Sequence, residues 1–169
     1  MYFSSIPPPN RKDTKKVSAP EGIIAIGSDH AGFELKEFIK ETLTQKGIPY
    51  KDMGTDSAGS VDYPLYAGRV ARAVSAGTHH RGIAICGAGI GASITANRFR
   101  RVRAALCVTV EMARLARGHN DANILVMGGR ITPKETASEI LEAWLSTPFE
   151  GGRHKHRIEM IESVNEEQS

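Results

Sequence analysis

Ile83-Ala84-Ile85-Cys86-Gly87-Ala88-Gly89-Ile90-Gly91 is the most informative segment of the 169-residue sequence. Residues 83–86 form a short, continuous apolar run, which is typical of a parallel strand buried on both faces. The three glycines that follow let the backbone turn tightly and approach a ligand closely. In open α/β sheets, ligands bind at the carboxyl ends of the strands, so this segment predicts both a type of sheet and the position of a site.

The same alternation of apolar runs and amphipathic stripes extends in both directions from this segment. Leu35, Phe38, Ile39 and Leu43 are spaced as on one face of a helix that stops at Gly47. Strands that alternate with helices through short connections predict a five-stranded parallel sheet covered on both faces, a Rossmann-like three-layer α/β/α sandwich. The predicted strands are residues 23–26, 48–53, 83–86, 104–108 and 124–127, and the predicted helices begin near residues 35, 64, 91, 112, 134 and 153.

One helix start is predicted in more detail. Thr132-Pro133-Lys134-Glu135 has the pattern of a capping box with proline at the first helical position. We therefore expect the Thr132 side chain to cap a helix whose apolar face includes Ile140, Trp144 and Leu145.

The formal net charge of +3 raises the question of a nucleic-acid partner. Residues 1–21 contribute +2 of this charge, and residues 22–169 contribute +1 from 18 basic and 17 acidic groups. We expect the Pro- and Lys-rich leader, residues 1–21, to be disordered because it has few apolar groups to bury, and residues 22–169 to form a single domain with a C-terminal helix. We interpret the basic run Arg98–Arg103 as a solvated loop, so no nucleic-acid partner is predicted. No apolar run approaches the roughly 20 residues of a membrane span, so no membrane partner is predicted either.

The two cysteines, Cys86 and Cys107, are too few for a disulfide framework. Neither has histidine or cysteine neighbours at zinc-binding spacing, so the sequence predicts no metal site. Free cysteines in a protein of this size indicate a reducing compartment, and we expect a cytoplasmic protein.

Cys86 and the glycine turn behind it can support proton transfer or nucleophilic attack. Backbone N–H groups in such a turn point at an anion, and the start of the following helix adds its positive end. A cysteine in this position is favoured as a thiolate, which is a base or a nucleophile facing a stabilised oxyanion. The alternative is a small buried cysteine beside a packing turn.

Two common nucleotide-binding motifs do not fit the sequence. A P-loop needs Lys followed by Ser or Thr after its last glycine, and Phe33-Glu34 follow Gly32 instead. Gly87–Gly91 is one residue shorter than the dinucleotide fingerprint, and no acidic residue closes the next predicted strand.

Two polar segments are candidates for acid–base chemistry. Asp29 and His30 follow the first predicted strand, and His119-Asn120-Asp121 precede the fifth. Each segment alone is more often a cap or a structural hydrogen bond. We expect both at the same sheet edge as Cys86, where a histidine can exchange a proton with a sugar oxygen at neutral pH.

Three arginines are candidates for binding phosphate. Arg153 and Arg157 are four residues apart and share one face of the last predicted helix, and Arg130 follows the fifth strand. Planar guanidinium groups match phosphate oxygens with two hydrogen bonds. The alternative is a solvated helix face paired with Glu159 or Glu162.

Taken in order, five motifs resemble those of type B ribose-5-phosphate isomerases, a superfamily that also contains galactose-6-phosphate isomerase. The resemblance extends from about residue 23 to about residue 161 and is specific for the superfamily rather than for one sugar. The motifs are Gly27-Ser28-Asp29-His30-Ala31-Gly32, Asp62-Tyr63-Pro64, Cys86-Gly87-Ala88-Gly89-Ile90-Gly91, Arg117-Gly118-His119-Asn120-Asp121-Ala122-Asn123 and Gly151-Gly152-Arg153-His154.

The resemblance implies an enzyme of the pentose phosphate pathway that interconverts ribose 5-phosphate and ribulose 5-phosphate, without metal or cofactor, through a cis-enediolate. It implies that Cys86 is the base, that His119 helps to open the furanose ring, and that the amides of the loop form an anion hole. It also implies a homodimer, or a dimer of dimers, with active sites shared between subunits. The implied substrate-binding residues are Asp29, His30, Gly87, Ala88, Gly89, Ile90, Gly91 and Asn120, and the implied phosphate-binding residues are Arg130, Arg153 and Arg157.

The sequence departs from the family pattern at Ala88, where many members have threonine. Without that hydroxyl, His119 or a water molecule has to carry the ring-opening step. An isomerase of a hexose 6-phosphate, such as galactose or allose 6-phosphate, is the alternative, with residues 55–61 contributing to the size of the pocket. A non-catalytic sugar-phosphate or nucleotide sensor is a further alternative, against which the presence of both Cys86 and His119 argues.

Overall fold

The computed structural model describes residues 22–164, so the prediction of a disordered leader lies outside the described residues. Strands and helices alternate along the chain, with a short 3₁₀ turn at His30–Gly32. The strands are β1 (Ile24–Ser28), β2 (Tyr50–Asp52), β3 (Arg81–Cys86), β4 (Ala104–Leu106) and β5 (Ile124–Gly128). The helices are α1 (Phe33–Gln45), α2 (Tyr63–Ser75), α3 (Ile90–Ala96), α4 (Val110–Gly118), α5 (Lys134–Ser146) and α6 (Arg153–Ser163).

All five strands run parallel in one sheet with the order β2-β1-β3-β5-β4. The central strand β3 pairs with β1 on one side and with β5 on the other. Its register with β5 places Gly82 opposite Ile124 and Cys86 opposite Gly128. The predicted five-stranded parallel α/β sheet is confirmed.

Two apolar cores cover the two faces of the sheet, because successive side chains of a strand point to opposite faces. In β3, Ile83 and Ile85 belong to the larger core, which also contains Trp144 of α5. Ala84 and Cys86 belong to the smaller core, which they share with side chains of α2 and α3. The sheet is therefore buried on both faces, as the continuous apolar runs predict.

The start of α5 differs from the predicted capping box. The helix begins at Lys134, and Pro133 rather than Thr132 is its N-cap residue, without a side-chain capping bond. Thr132 is held in the turn after β5 by its N–H, which donates to the carbonyl of Gly128 at 2.9 Å. Its buried hydroxyl has no hydrogen-bond partner within residues 22–164. The capping-box prediction is therefore wrong, because the turn that ends β5 includes Thr132.

Parallel strands give the sheet two chemically different edges. The ends of β1, β3 and β5 lead into loops at the carboxyl edge, whereas the connections that enter the strands lie at the amino edge. Among the helices of residues 22–164, none is both long and apolar enough to cross a membrane.

Candidate active site

The loops after β1, β3 and β5 meet at the carboxyl edge of the sheet and are bonded directly to one another. The Asp29 N–H donates to the carbonyl of Ile85 at 3.2 Å, and the Gly129 N–H donates to the carbonyl of Cys86 at 2.8 Å. A Cβ at Gly129 would lie 2.5 Å from the carbonyl oxygen of Ala31, so only glycine permits this approach. Three of the predicted segments therefore form one rigid edge.

The Cys86 thiol lies at the end of β3 and is 5% exposed. The N–H of Gly89 donates to its Sγ at 3.2 Å, and Gly89 adopts a positive φ of 79° that suits glycine. The first intrahelical bond of α3 is from Ser93 N–H to Gly89 carbonyl, so the N–H groups of residues 90–92 have no acceptor inside the helix. The sulfur atom therefore lies beside backbone donors that can stabilise an anion.

Asp29 and His30 are fixed at the same edge by hydrogen bonds to the backbone. The buried Asp29 carboxylate accepts from the N–H of Gly32 at 2.9 Å and caps the 3₁₀ turn. The Nδ1 atom of His30 lies 3.1 Å from the carbonyl oxygen and 3.2 Å from the nitrogen of Val61, so it can bond to that residue in either tautomer. His30 thereby connects the end of β1 to the loop before α2.

Arg130 is the one predicted phosphate ligand at the carboxyl edge. Its N–H donates to the Gly87 carbonyl at 2.9 Å, and its side chain lies over the same residue. A Cβ at Gly87 would be 3.7 Å from Arg130 Cδ and 3.9 Å from Nη1. The exposed guanidinium is therefore next to the glycine loop.

His119 and Asn120 do not lie at this edge, so the expectation that they share it with Cys86 is wrong. The chain leaves β4 at the carboxyl edge and returns along α4, which brings residues 119–123 to the start of β5. Ile124, the first residue of β5, pairs with Gly82, which is four residues before Cys86 in β3. About 13 Å of strand therefore separates the start of β5 from the level of Cys86. A loop that enters a parallel strand lies at the amino edge, and this is the physical reason for the difference.

Arg153 and Arg157 also lie towards the amino edge, on α6. The helix is fixed there by Glu162, whose carboxylate accepts from Arg103 at 2.6 Å just before β4. Both arginines are exposed, and within residues 22–164 neither forms a salt bridge. Within one chain, the three predicted phosphate ligands are therefore far apart. Arg130 lies beside Cys86, and Arg153 and Arg157 lie near His119.

His119 is part of a cluster that includes two residues to which the sequence assigned no role, Glu150 and His154. The imidazole rings of His119 and His154 are stacked, with centroids 4.2 Å apart and planes 8° apart. Glu150 Oε2 lies 3.6 Å from Nε2 of each histidine. Burial, followed by the nearby His119 and Arg153, lowers the pKa of His154, although Glu150 acts in the opposite direction. The only signal in the sequence was the presence of His154 in the Gly151–His154 motif.

His119, Glu150 and His154 are also the residues that come closest to a metal site within the described part of the chain. Their ligand atoms all lie within 4.8 Å of one another, and two histidines with a glutamate form a common zinc ligand set. The two rings are nearly parallel, however, so their nitrogen lone pairs lie in parallel planes and do not converge on one point. One ring would have to turn before a cation could bind both.

Comparison with known proteins agrees with this fold. The family model described as Ribose/Galactose Isomerase matches residues 24–161. Ribose-5-phosphate isomerase B of Escherichia coli is 46% identical over 143 residues, which cover 85% of this chain and 96% of that protein. D-erythrulose-4-phosphate isomerase of Pectobacterium atrosepticum is 42% identical and is covered to 91%, against 82% of this chain.

Solved structures show the same similarity. A ribose 5-phosphate isomerase of Thermotoga maritima has 53% sequence identity and a TM-score of 0.83, with 86% of this chain and 100% of that chain covered. Ribose-5-phosphate isomerase B of Mycoplasma genitalium, with bound ribulose-5-phosphate, has 38% identity and a TM-score of 0.82, with coverage of 85% and 96%.

The fold, the site and these relatives define a sugar phosphate isomerase built on a parallel α/β sheet. The chain belongs to the ribose/galactose isomerase family.

Proposed function

We propose that this protein interconverts D-ribose 5-phosphate and D-ribulose 5-phosphate in the pentose phosphate pathway, without metal or cofactor. The observation that carries the proposal is the Cys86 thiol, held at a strand end with the Gly89 N–H on its sulfur and the amides of residues 90–92 beside it. The names of the relatives from E. coli and T. maritima, and the ribulose-5-phosphate bound to the M. genitalium protein, support the choice of substrate. The free state of both cysteines is compatible with action in the cytoplasm.

The proposed reaction is a proton transfer between adjacent carbon atoms. The Cys86 thiolate removes the proton from C2 of the open-chain aldose, and the electron pair moves to the carbonyl oxygen to give a cis-enediolate. The resulting thiol returns the proton to C1 while the proton on the C2 hydroxyl moves to O1, so aldose becomes ketose with no net gain or loss. The loop amides stabilise the developing oxyanion, which is the largest contribution such sites make.

We propose that the site is completed by a second copy of the chain. Cys86, Asp29, His30, the glycine loop and Arg130 lie at the carboxyl edge, whereas His119, Asn120, Arg153 and Arg157 lie towards the other edge. No single chain can therefore bring all of them to one small substrate. In a symmetric homodimer, or a dimer of dimers, the carboxyl edge of one protomer faces the amino-edge residues of its partner.

The apolar surface beside the loop supports this arrangement. Ile90 and Ile94 of α3 are 57% and 58% exposed, and Leu65 of α2 is 53% exposed. Large apolar side chains next to a polar site are typical of an interface that is covered in the assembled protein. The same contact would bring the arginines of one protomer to the phosphate bound by the other.

The size of the sugar is the part of the proposal that the pocket loop bears on. A hexose 6-phosphate remains the alternative, because residues 55–61 contribute to the pocket and are mostly exposed in the isolated chain. The relative that acts on D-erythrulose 4-phosphate favours a test with a four-carbon substrate as well. Ala88, which is exposed beside Cys86, supplies no hydroxyl for ring opening, so that step falls to His119.

A substrate panel tests the proposal directly. We expect turnover of ribose 5-phosphate, unchanged by a chelator, with a higher kcat/KM than for six-carbon and four-carbon phosphates. Cys86→Ala should abolish turnover and retain the binding of a phosphate ligand, and Cys107→Ala is the matched control because Cys107 is buried in the core. Absence of turnover with every sugar phosphate, or complete loss of activity with the chelator, would contradict the proposal.

A further inference from the structure

The environment of His154 differs from that of the other residues in the His119 cluster. The His154 side chain is 8% exposed, whereas those of His119 and Glu150 are 37% and 59% exposed. A substrate can therefore reach His119 and Glu150 far more readily than it can reach His154. The flat face of the buried ring covers one face of His119 at a centroid distance of 4.2 Å.

We infer that His154 and Glu150 are positioning residues that hold the imidazole of His119 in the orientation required for opening the sugar ring. This inference rests on the proposed function, in which His119 exchanges a proton with the ring oxygen. Stacked rings restrict the rotation of His119 about its side-chain bonds, and Glu150 Oε2, 3.6 Å from Nε2 of both rings, favours the orientation in which those atoms face it.

The backbone fixes the two halves of the cluster relative to each other. The N–H of Glu150 donates to the carbonyl of Gly118 at 3.0 Å, which joins the end of α4 to the segment before α6. The N–H of His154 donates to the carbonyl of Gly151 at 3.1 Å within the turn that starts α6. The His119 ring and the His154 ring are therefore presented by two elements that are tied together one residue away from His119.

The charges around the stack support a positioning role over a second acid–base role for His154. The groups that face it are His119 just after α4, Glu150 from the connecting segment, and Arg153 and Arg157 from α6 itself. Burial and the three positive or potentially positive groups together lower the pKa of His154 below its ordinary value, against the effect of Glu150. A lowered pKa favours the uncharged form of His154, which can stack on His119 without placing a second positive charge beside it.

Three variants separate positioning from simple stability. His154→Ala removes the stacked ring, His154→Phe keeps a flat ring that cannot titrate, and His156→Ala is the control because His156 is exposed on the same helix. We expect His154→Ala to lower kcat for ribose 5-phosphate by roughly 10- to 100-fold, with KM changed by less than about threefold. His154→Phe should recover kcat to within about threefold of the wild type, and His156→Ala should match it.

A spectroscopic measurement reports the stack independently of activity. In proton NMR, the ring protons of His119, assigned with the His119→Asn variant, should show the upfield shift caused by a ring stacked on them. The shift should persist in His154→Phe and disappear in His154→Ala. Thermal unfolding of each variant shows whether it is folded, and His154→Phe carries the test if His154→Ala is not.

Four results would contradict the inference or the function on which it rests. Wild-type kcat in His154→Ala, or a loss of kcat with the His119 shift unchanged, would overturn the inference. Full loss of kcat in a folded His154→Phe that retains the shift would do the same, because a stacked ring would then be insufficient. A wild-type protein without any isomerase activity would contradict the proposed function, and with it the role in ring opening, whereas the His119 shift would still show whether the stack exists.

Discussion

At the scale of single residues, the two cysteines show how position determines the chemistry of one side chain. Cys107 is 1% exposed in the larger core, and burial raises the pKa of its thiol to about 12. Cys86 lies at a strand end, where a backbone N–H donates to its sulfur. Of the two, only Cys86 therefore has a backbone donor beside its sulfur, whereas the Cys107 thiol donates to the carbonyl of Ala105.

This difference predicts selective alkylation. Between pH 7 and pH 9, iodoacetamide should modify Cys86 and leave Cys107 unmodified, because a thiol with a pKa of about 12 remains protonated there. Peptide mass spectrometry gives the site, and loss of turnover should follow the modification of Cys86. A phosphate-containing substrate should slow the reaction, and equal labelling of both cysteines would contradict the assignment.

A second prediction at this scale concerns His119. A tetrose 4-phosphate cannot close a furanose ring, because its O4 carries the phosphate, so it needs no ring-opening residue. His119→Asn should therefore lower kcat/KM for ribose 5-phosphate by roughly 100-fold and for erythrose 4-phosphate far less. Equal losses for both substrates would show that His119 serves another step.

At the scale of elements, local patterns predict some features and not others. The apolar run before Cys86 and the glycines after it predict a buried strand and a turn, because both depend on residues that are adjacent in the sequence. The prediction that His119 lies at the carboxyl edge is wrong because its position depends on the direction of α4, and its place before a parallel strand indicates the amino edge. Glu150 and His154 could not be predicted as partners of His119, because the contact joins residues 31 and 35 positions away.

The predicted capping box of α5 fails for the same reason, although the residues involved are only a few positions apart in the sequence. The spacing of Thr132 and Glu135 fits a capping box, but the turn that ends β5 fixes the Thr132 backbone through Gly128. A tertiary constraint therefore overrides the local preference. The predicted helix is present, and only its first residue and its cap differ.

The ion pair between Lys36 of α1 and Asp52 of β2 gives a prediction at the scale of elements. Lys36 is fully buried, and its Nζ donates to Asp52 Oδ1 at 2.8 Å and Oδ2 at 2.6 Å. Burial opposes ionisation of Asp52, but hydrogen bonds from Lys36 and Lys40 outweigh burial and hold the pKa of the carboxyl below its ordinary value. Asp52 also accepts from the N–H of Gly54 at 2.9 Å, where the loop before α2 begins.

Lys36→Met should lower the free energy of unfolding by about 1–3 kcal/mol, because Asp52 loses its buried cationic partner and keeps Lys40 and the Gly54 N–H. A carboxyl whose pKa is lowered by folding contributes its full stability above its ordinary pKa of 3.8, and this contribution is lost as the pH falls from that value through the lower pKa of the folded state. The wild type should therefore lose stability as the pH falls below about 5, and the variant should lose less. Urea unfolding across this range is the measurement, Lys40→Met is the milder control, and identical pH dependence in wild type and Lys36→Met would contradict the account.

At the scale of the whole molecule, the fold separates the residues that the chemistry needs. A parallel sheet places the proposed base Cys86, the loop amides and Arg130 at one edge, while α4 and α6 carry His119, Arg153 and Arg157 to the other. The order of the five motifs in the sequence identifies the family but does not show that residues at opposite edges act on one substrate. The proposed active site therefore belongs to the assembly rather than to the chain.

Subunit complementation tests this central claim most directly. Cys86→Ala and His119→Asn are each prepared separately, and then the two inactive variants are unfolded together in equal amounts and refolded. A mixed dimer contains one site with both native residues, so a statistical mixture should regain about a quarter of the wild-type activity. If base and ring-opening residue come from the same chain, every site in the mixture lacks one of them, and activity that stays at the level of the separate variants would contradict the account.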